Sequence, residues 1–187
     1  MYGYFNTRSH NLKRGILKFS EKVSKNLARP EFKFVSQMIF GILSSQSCML
    51  SEISRKLNEK TSVKKIIDRL SRNLGNFNNG EKLFGNYLKA IKSQTDVKTI
   101  LIVDGSDITK DYTTKMEGIQ VVRDGSTGEY KLGYHTLGIS ALTPEKKMPI
   151  PVYSREYTAT ESGFVSEDEG TIKGLRFLSN HFKRNNI

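Results

Sequence analysis

The chain has 187 residues and a net charge of +11, with one cysteine, no tryptophan and 36% hydrophobic residues. This length suits one ordinary domain or two small ones, and no apolar run approaches the roughly 20 residues of a membrane span. The lone Cys48 cannot form an internal disulfide and the N-terminus has no signal-peptide core, so the sequence predicts a soluble, cytoplasmic protein with a buried thiol.

The positive charge is confined to the first half of the chain. Residues 1–98 contain 19 Lys and Arg against 7 Asp and Glu, a net charge of +12, whereas residues 99–187 contain 11 against 12. Such asymmetry is typical of a polyanion-binding module joined to a different domain. It predicts that residues 1–98 bind double-stranded DNA; the alternative is a generally basic, solvated surface.

The first half has the periodicity of helices. Apolar residues recur three or four positions apart over 12–27, and Pro30 is predicted to close that helix. The same spacing predicts helices over 32–45, 49–57, 63–74 and 81–92. Residues 1–98 are therefore predicted to form a helical, basic domain.

Residues 49–74 have the layout of a helix-turn-helix, in which a short polar turn joins two helices. At about 100° per residue, the second helix has one apolar face, and its opposite face carries four cations and one acid. The four cations are Lys64, Lys65, Arg69 and Arg72. A helix of this kind can lie in the major groove of DNA. The alternative is a surface helix with a solvated basic face.

At residue 99 the pattern changes to short β runs. Strands are predicted over 99–103, 118–122, 131–142 and 148–158, mostly antiparallel, followed by a helix from about 167 to 183. Ser166 and Glu169 fit a capping box, and Lys183 and Arg184 suit the last turn of that helix. The whole chain is predicted to have an α+β fold with domains at 1–98 and 99–187.

Asp104 is the candidate site residue of the second half. It follows the apolar run of residues 100–103 and is predicted to end that strand, with Gly105 and Ser106 forming the turn. A carboxylate in such a position can bind Mg²⁺, and two such ions can catalyse phosphodiester cleavage. The alternative is an aspartate that only terminates a strand. Asp107 and Asp124 are predicted to be turn residues.

Residues 99–184 resemble the first half of the catalytic domain of cut-and-paste insertion-sequence transposases, which are ribonuclease-H-like enzymes with an Asp-Asp-Glu active site. The resemblance rests on the order of four short stretches in this chain, and over residues 1–98 it is one of layout only. The stretches are Asp104-Gly105-Ser106-Asp107-Ile108, Asp124-Gly125-Ser126, Gly133-Tyr134 and the extended Pro149-Ile150-Pro151 before a helix.

This resemblance implies a ribonuclease-H-like antiparallel sheet with a packed helix, a central first strand, and Asp104 as a catalytic residue and Mg²⁺ ligand. It also implies DNA cleavage and strand transfer in the intact family. There the second and third acids follow that helix, so this chain is expected to be a truncated N-terminal part, inactive alone. A homo-oligomer or a complementing chain could supply the rest.

The sequence allows three further interpretations, one of the acids at the start of the last helix and two of the function. The acids at 167–169 are predicted to cap the helix rather than to replace the family's second acid. One alternative function is a non-enzymatic DNA-binding protein that occupies element ends or regulates transposition. Another is a nuclease that completes its metal site by dimerising.

Overall fold

A computed structural model describes residues 2–96, 98–113, 115–143, 148–158, 162 and 165–182, and it describes residues 2–10 by their backbone alone. The chain divides into two compact units, Met1–Ala90 and Ile91–Ile187. The boundary therefore falls earlier than the position after residue 98 that the change in periodicity predicts. In the described residues the fold is α+β, as predicted, with six α-helices and one four-stranded antiparallel sheet.

The described part of the first unit consists of helices. They are α1 (Tyr2–Val23), α2 (Arg29–Ser45), α3 (Leu50–Leu57), α4 (Val63–Gly75) and α5 (Gly80–Ile91). The prediction for Pro30 is wrong, because α1 already ends at Val23 and Pro30 lies in the first turn of α2. Proline suits that position because the first N–H groups of a helix have no partner within the helix. The prediction for Cys48 is also wrong, because it lies exposed between α2 and α3.

The core of the first unit lies between α2, α3 and α4. Its fully buried side chains include Ile53 of α3 and Leu70 of α4, with Phe34 and Val35 of α2 beside them. Gly41 of α2 sits directly against Ile53, so closely that a Cβ at Gly41 would overlap the Ile53 side chain. A glycine is required there because only a residue without a side chain lets α3 approach α2 so closely.

The second unit is built around one long strand. Its strands are β1 (Ile100–Thr109), β2 (Gln120–Arg123), β3 (Tyr130–Leu142) and β4 (Ile150–Tyr157), and its helix is α6 (Glu167–Phe182). β3 pairs with β1 along one edge and with β2 and then β4 along the other, always antiparallel. The prediction of a central first strand is therefore wrong: in the described sheet β3 is central, and β1 pairs on one edge only.

Helix α6 packs on one face of this sheet, against β3 and β4. A Cβ at Gly174 would lie 3.1 Å from Cδ1 of Ile139 and 3.0 Å from Cε1 of Tyr153, so the helix lies close to β3 and β4 there. Leu178 and Phe182 are buried on the same helix. The predicted N-cap is confirmed, since the Glu169 N–H donates to Oγ of Ser166 at 3.1 Å. Lys183 and Arg184 lie outside the described residues.

The turn between β2 and β3 is organised by Asp124. Its carboxylate accepts hydrogen bonds from the Ser126 hydroxyl and N–H and from Nζ of Lys131, and these hold the pKa of Asp124 well below its ordinary value. Gly128 completes the turn with a φ of 74°. The prediction that Asp124 is a turn residue is therefore confirmed.

None of the helices in the described residues combines the length and the apolarity that crossing a bilayer requires.

Candidate nucleic-acid interface and carboxylate site

Helices α3 and α4 are joined by a short turn, as the sequence predicts, and both pack with α2. α3 packs against α2, and α4 packs against α3 across the turn of residues 58–62. Ile66 and Leu70, one turn apart on α4, are buried against that core. The apolar face predicted for α4 therefore holds along its middle, while Val63 and Leu74 at its two ends remain exposed.

Three of the four predicted cations are presented to solvent. Lys64, Lys65 and Arg72 are exposed on α4, on the side opposite Ile66 and Leu70. Long cationic side chains on one face of a protruding helix can reach phosphate oxygens and base edges in a major groove. This face is therefore available to a polyanion.

Arg69 is placed differently from the other three cations. Its Nη2 donates to Oε1 of Glu59 at 2.7 Å, and its side chain is only 35% exposed. The same Oε1 accepts from Nε2 of Gln37 on α2 at 2.8 Å. The Arg69 guanidinium is therefore already engaged by a carboxylate of the turn before α4, whereas sequence periodicity placed it with Lys64, Lys65 and Arg72.

The sequence patterns do not identify Glu59 and Gln37 as partners of Arg69. Glu59 is ten residues from Arg69 and 22 from Gln37, so no helical spacing connects the three. The available signal is a single acid in the polar turn that precedes a helix with four cations. That signal suggests an ion pair, but it does not identify which cation is the partner.

Asp104 does not end its strand. β1 continues for five more residues to Thr109, and Asp104 lies opposite Gly138 in the middle of the ladder with β3. Paired residues of neighbouring strands share a face, and Gly138, the partner of Asp104, is followed by Ile139. Because successive side chains of a strand point to opposite faces, Asp104 and Ile139 lie on different faces of the sheet. Asp104 is exposed on the face opposite α6.

Asp107 is the acid of β1 that faces the α6 side. It lies opposite His135 of β3, and its Oδ1 is 2.8 Å from Nδ1 of that imidazole. The ring of Tyr157 lies beside the imidazole of His135, and the centroids of the two rings are 6.2 Å apart. Burial raises the pKa of Tyr157, and the charges of Glu167 and Asp107 add to this. The prediction of Asp107 as a turn residue is wrong, because it belongs to β1.

The described residues do not provide a complete site for Mg²⁺. No three side chains of His, Cys, Asp or Glu among them are grouped as a metal ion would require. Asp104 and Asp107 lie three positions apart on one strand and so point to opposite faces, which prevents them from sharing an ion. Glu169 lies 3.8 Å from Nζ of Lys173 in the first turns of α6. No catalytic step through a metal follows from this geometry.

Comparison of the chain with protein-family models, with curated proteins and with solved structures gives no match in any of the three.

Proposed function

We propose that this protein binds duplex DNA through the exposed basic face of α4. The observation that carries the proposal is the exposure of Lys64, Lys65 and Arg72 on α4, the second of two helices joined by a short turn, on the side away from the core. The net charge of +12 over residues 1–98 supplies the long-range attraction to a polyanion.

The test measures the affinity of the full chain for duplex DNA as a function of salt concentration. Each cation on a phosphate releases condensed counterions, so log K falls with log salt by about 0.9 per contact. Replacing Lys64, Lys65 and Arg72 together by Ala is expected to weaken binding and to flatten that slope by up to about 2.7.

The matched control replaces Lys110, Lys115 and Lys173 of the second half by Ala. This variant loses the same net charge, so it separates a specific face from bulk electrostatics. We expect its slope to stay close to that of the unmodified chain. Equal losses in the two variants would contradict a role for α4 and support a diffuse basic surface.

We further propose that the bound DNA is the substrate of a transposition reaction, with residues 99–184 as part of a ribonuclease-H-like catalytic sheet. Three features support this: β1, β3 and β4 pair antiparallel, α6 follows them, and β1 pairs on only one edge within the described residues. In a ribonuclease-H-like fold a further strand pairs in parallel with the first one, at the edge that β1 leaves open here.

Asp104 would be the first metal ligand of that sheet, and further ligands would have to come from a partner or from residues outside those described. Incubation with duplex DNA and Mg²⁺ tests this part of the proposal. We expect binding without cleavage by the chain alone, and unchanged binding after Asp104→Asn, because this residue is not proposed to touch DNA. Mg²⁺-dependent cleavage that is lost in the Asp104→Asn variant would show that the chain is an active enzyme.

The non-enzymatic alternative has its own support. The basic face of α4, with Lys64, Lys65 and Arg72 exposed, is enough for DNA binding and needs no catalytic sheet. A protein of this kind would occupy element ends and compete with an intact transposase. Competition for the same DNA without cleavage of it would favour this function.

A further inference from the structure

The turn between α3 and α4 holds one carboxylate that connects two helices. Oε1 of Glu59 accepts a hydrogen bond from Nε2 of Gln37 on α2 at 2.8 Å and another from Nη2 of Arg69 on α4 at 2.7 Å. Its side chain is 26% exposed, so water competes only in part for these bonds. Charge-assisted hydrogen bonds of an arginine to a carboxylate are among the strongest and most directional in proteins.

We propose that Glu59 is a positioning residue that fixes the rotation of α4 relative to α2 and so aims Lys64, Lys65 and Arg72 at DNA. This inference rests on the proposed function, since it specifies how the same face is held. It also assigns Arg69 to the support of the interface rather than to contact with DNA. We infer that three cations of α4, not four, are available to phosphates and bases.

Glu59 adds a directional restraint to the apolar contacts of α4. Ile66 and Leu70 set the side of the helix that faces the core, while hydrophobic burial is itself non-directional and defines the rotation less sharply than a hydrogen bond does. A hydrogen bond weakens steeply as its angle departs from linear, so the two bonds of Glu59 resist such a roll. Arg69 lies about 140° around the helix from Lys64, at the border between the basic face and the core, where a lateral restraint is most effective.

The sign of the effect distinguishes positioning from simple electrostatics. Glu59 is an anion in a basic DNA-binding region, so removing its charge should tighten DNA binding if charge alone mattered. If Glu59 positions α4, its removal should weaken binding even though the net charge becomes more positive. The two roles therefore predict opposite changes for one substitution.

The experiment compares Glu59→Ala with Glu52→Ala in the full chain. The side chain of Glu52 is 43% exposed and is paired with Arg55 within α3, so its removal makes the same change in charge at an ion pair inside one helix. Anisotropy of a labelled random-sequence duplex gives the affinity and its salt slope, with each variant measured well below its own melting temperature. We expect Glu59→Ala to bind about tenfold more weakly than the unmodified chain, with a salt slope flatter by about one unit, and Glu52→Ala to bind equally or more tightly.

A charge-swapped pair tests whether the contact itself is responsible. Glu59→Arg with Arg69→Glu restores a cation and an anion at the same two positions, and the Gln37 amide can donate or accept. We expect the swap to recover affinity to within about threefold of the unmodified chain, while Glu59→Ala with Arg69→Ala should bind no more weakly than Glu59→Ala alone, because both remove one contact. If Glu59→Ala does not fold, Glu59→Gln replaces it, and weaker binding than Glu52→Ala supports the proposal.

The outcomes separate this inference from the function on which it rests. If the unmodified chain binds with a steep salt slope and Glu59→Ala binds as tightly or more tightly, the positioning role is overturned and DNA binding stands. If Arg69→Ala weakens binding while Glu59→Ala does not, Arg69 contacts DNA directly. If the unmodified chain does not bind duplex DNA at low salt, the proposed function fails, and the role of Glu59 fails with it.

Discussion

Helix α4 and strand β1 both contain several apolar residues, but only α4 buries those at its centre. Ile66 and Leu70 of α4 are 2% and 0% exposed, whereas Ile100 and Val103 of β1 are 59% and 42% exposed. In α4 the apolar residues form one stripe, which a single neighbouring surface can cover. In β1 they are consecutive and so point to both faces of the sheet.

The difference shows what each pattern requires of its surroundings. A continuous apolar run is typical of a strand that is covered on both faces. In the described residues β1 has β3 along one edge, and α6 packs against β3 and β4 on the face that carries Ile139. An apolar stripe on a helix thus shows which side of that helix is buried. A continuous apolar run on a strand requires other segments to cover both of its faces, and the sequence of the strand does not show which segments these are.

The largest effect on stability is expected for the buried side of α4. Leu70→Ala removes a fully buried side chain and leaves a cavity, so we expect a loss of about 2–5 kcal/mol in the free energy of unfolding. Leu74→Ala, on the same helix but 53% exposed, is the matched control and should cost less than about 1 kcal/mol. Urea unfolding followed by the helical circular dichroism signal measures both. A similar loss in the two variants would mean that Leu74 is also buried, contrary to its exposure in the structure.

A smaller effect on stability, but a clear one on association, is expected for β1. A long apolar strand with an unpaired edge promotes pairing with other chains, and a charge on it prevents this. Ile102→Lys should therefore reduce aggregation, measured by light scattering, while changing the free energy of unfolding by about 0.5 kcal/mol or less. Val122→Lys is the contrasting variant, because Val122 is buried in the sheet and a lysine there should unfold the second unit. Strong destabilisation by Ile102→Lys would show that β1 is covered in solution.

The smallest effect concerns the pH dependence of the helical unit. The Glu31 carboxylate accepts hydrogen bonds from Nδ2 of Asn79 at 2.6 Å and from the Ala28 N–H at 3.0 Å, and these lower its pKa. A lowered pKa stabilises the fold above the unfolded pKa of about 4.3, and this contribution is lost as the pH falls through the folded pKa. Glu31→Gln should therefore make the acid dependence of the melting temperature shallower than in the control Glu21→Gln, which removes an exposed acid of α1. Identical acid profiles in all three proteins would exclude Glu31 as a source.

Much of the fold is predictable from this sequence, for physical reasons that particular elements illustrate. The turn over residues 58–62, the helix over 63–74 and the helix start at Ser166 follow from local spacing and capping, which act between near neighbours in the chain. The end of β1 and the role of Pro30 were mispredicted. A polar residue can continue a strand when its side chain faces solvent, and a proline can open one helix as well as close another.

The sequence by itself determined the α+β fold, the basic character of the first half and the apolar side of α4, because these depend on composition and on periods of two to four residues. Only the tertiary structure decided which cations of α4 remain available, since Arg69 meets Glu59 and Gln37 across 10 and 22 residues. It also decided that Asp107 meets His135 while Asp104 faces away from α6, because the register of β1 with β3 fixes both. Contacts of this kind depend on how distant segments align, and no local pattern encodes that alignment.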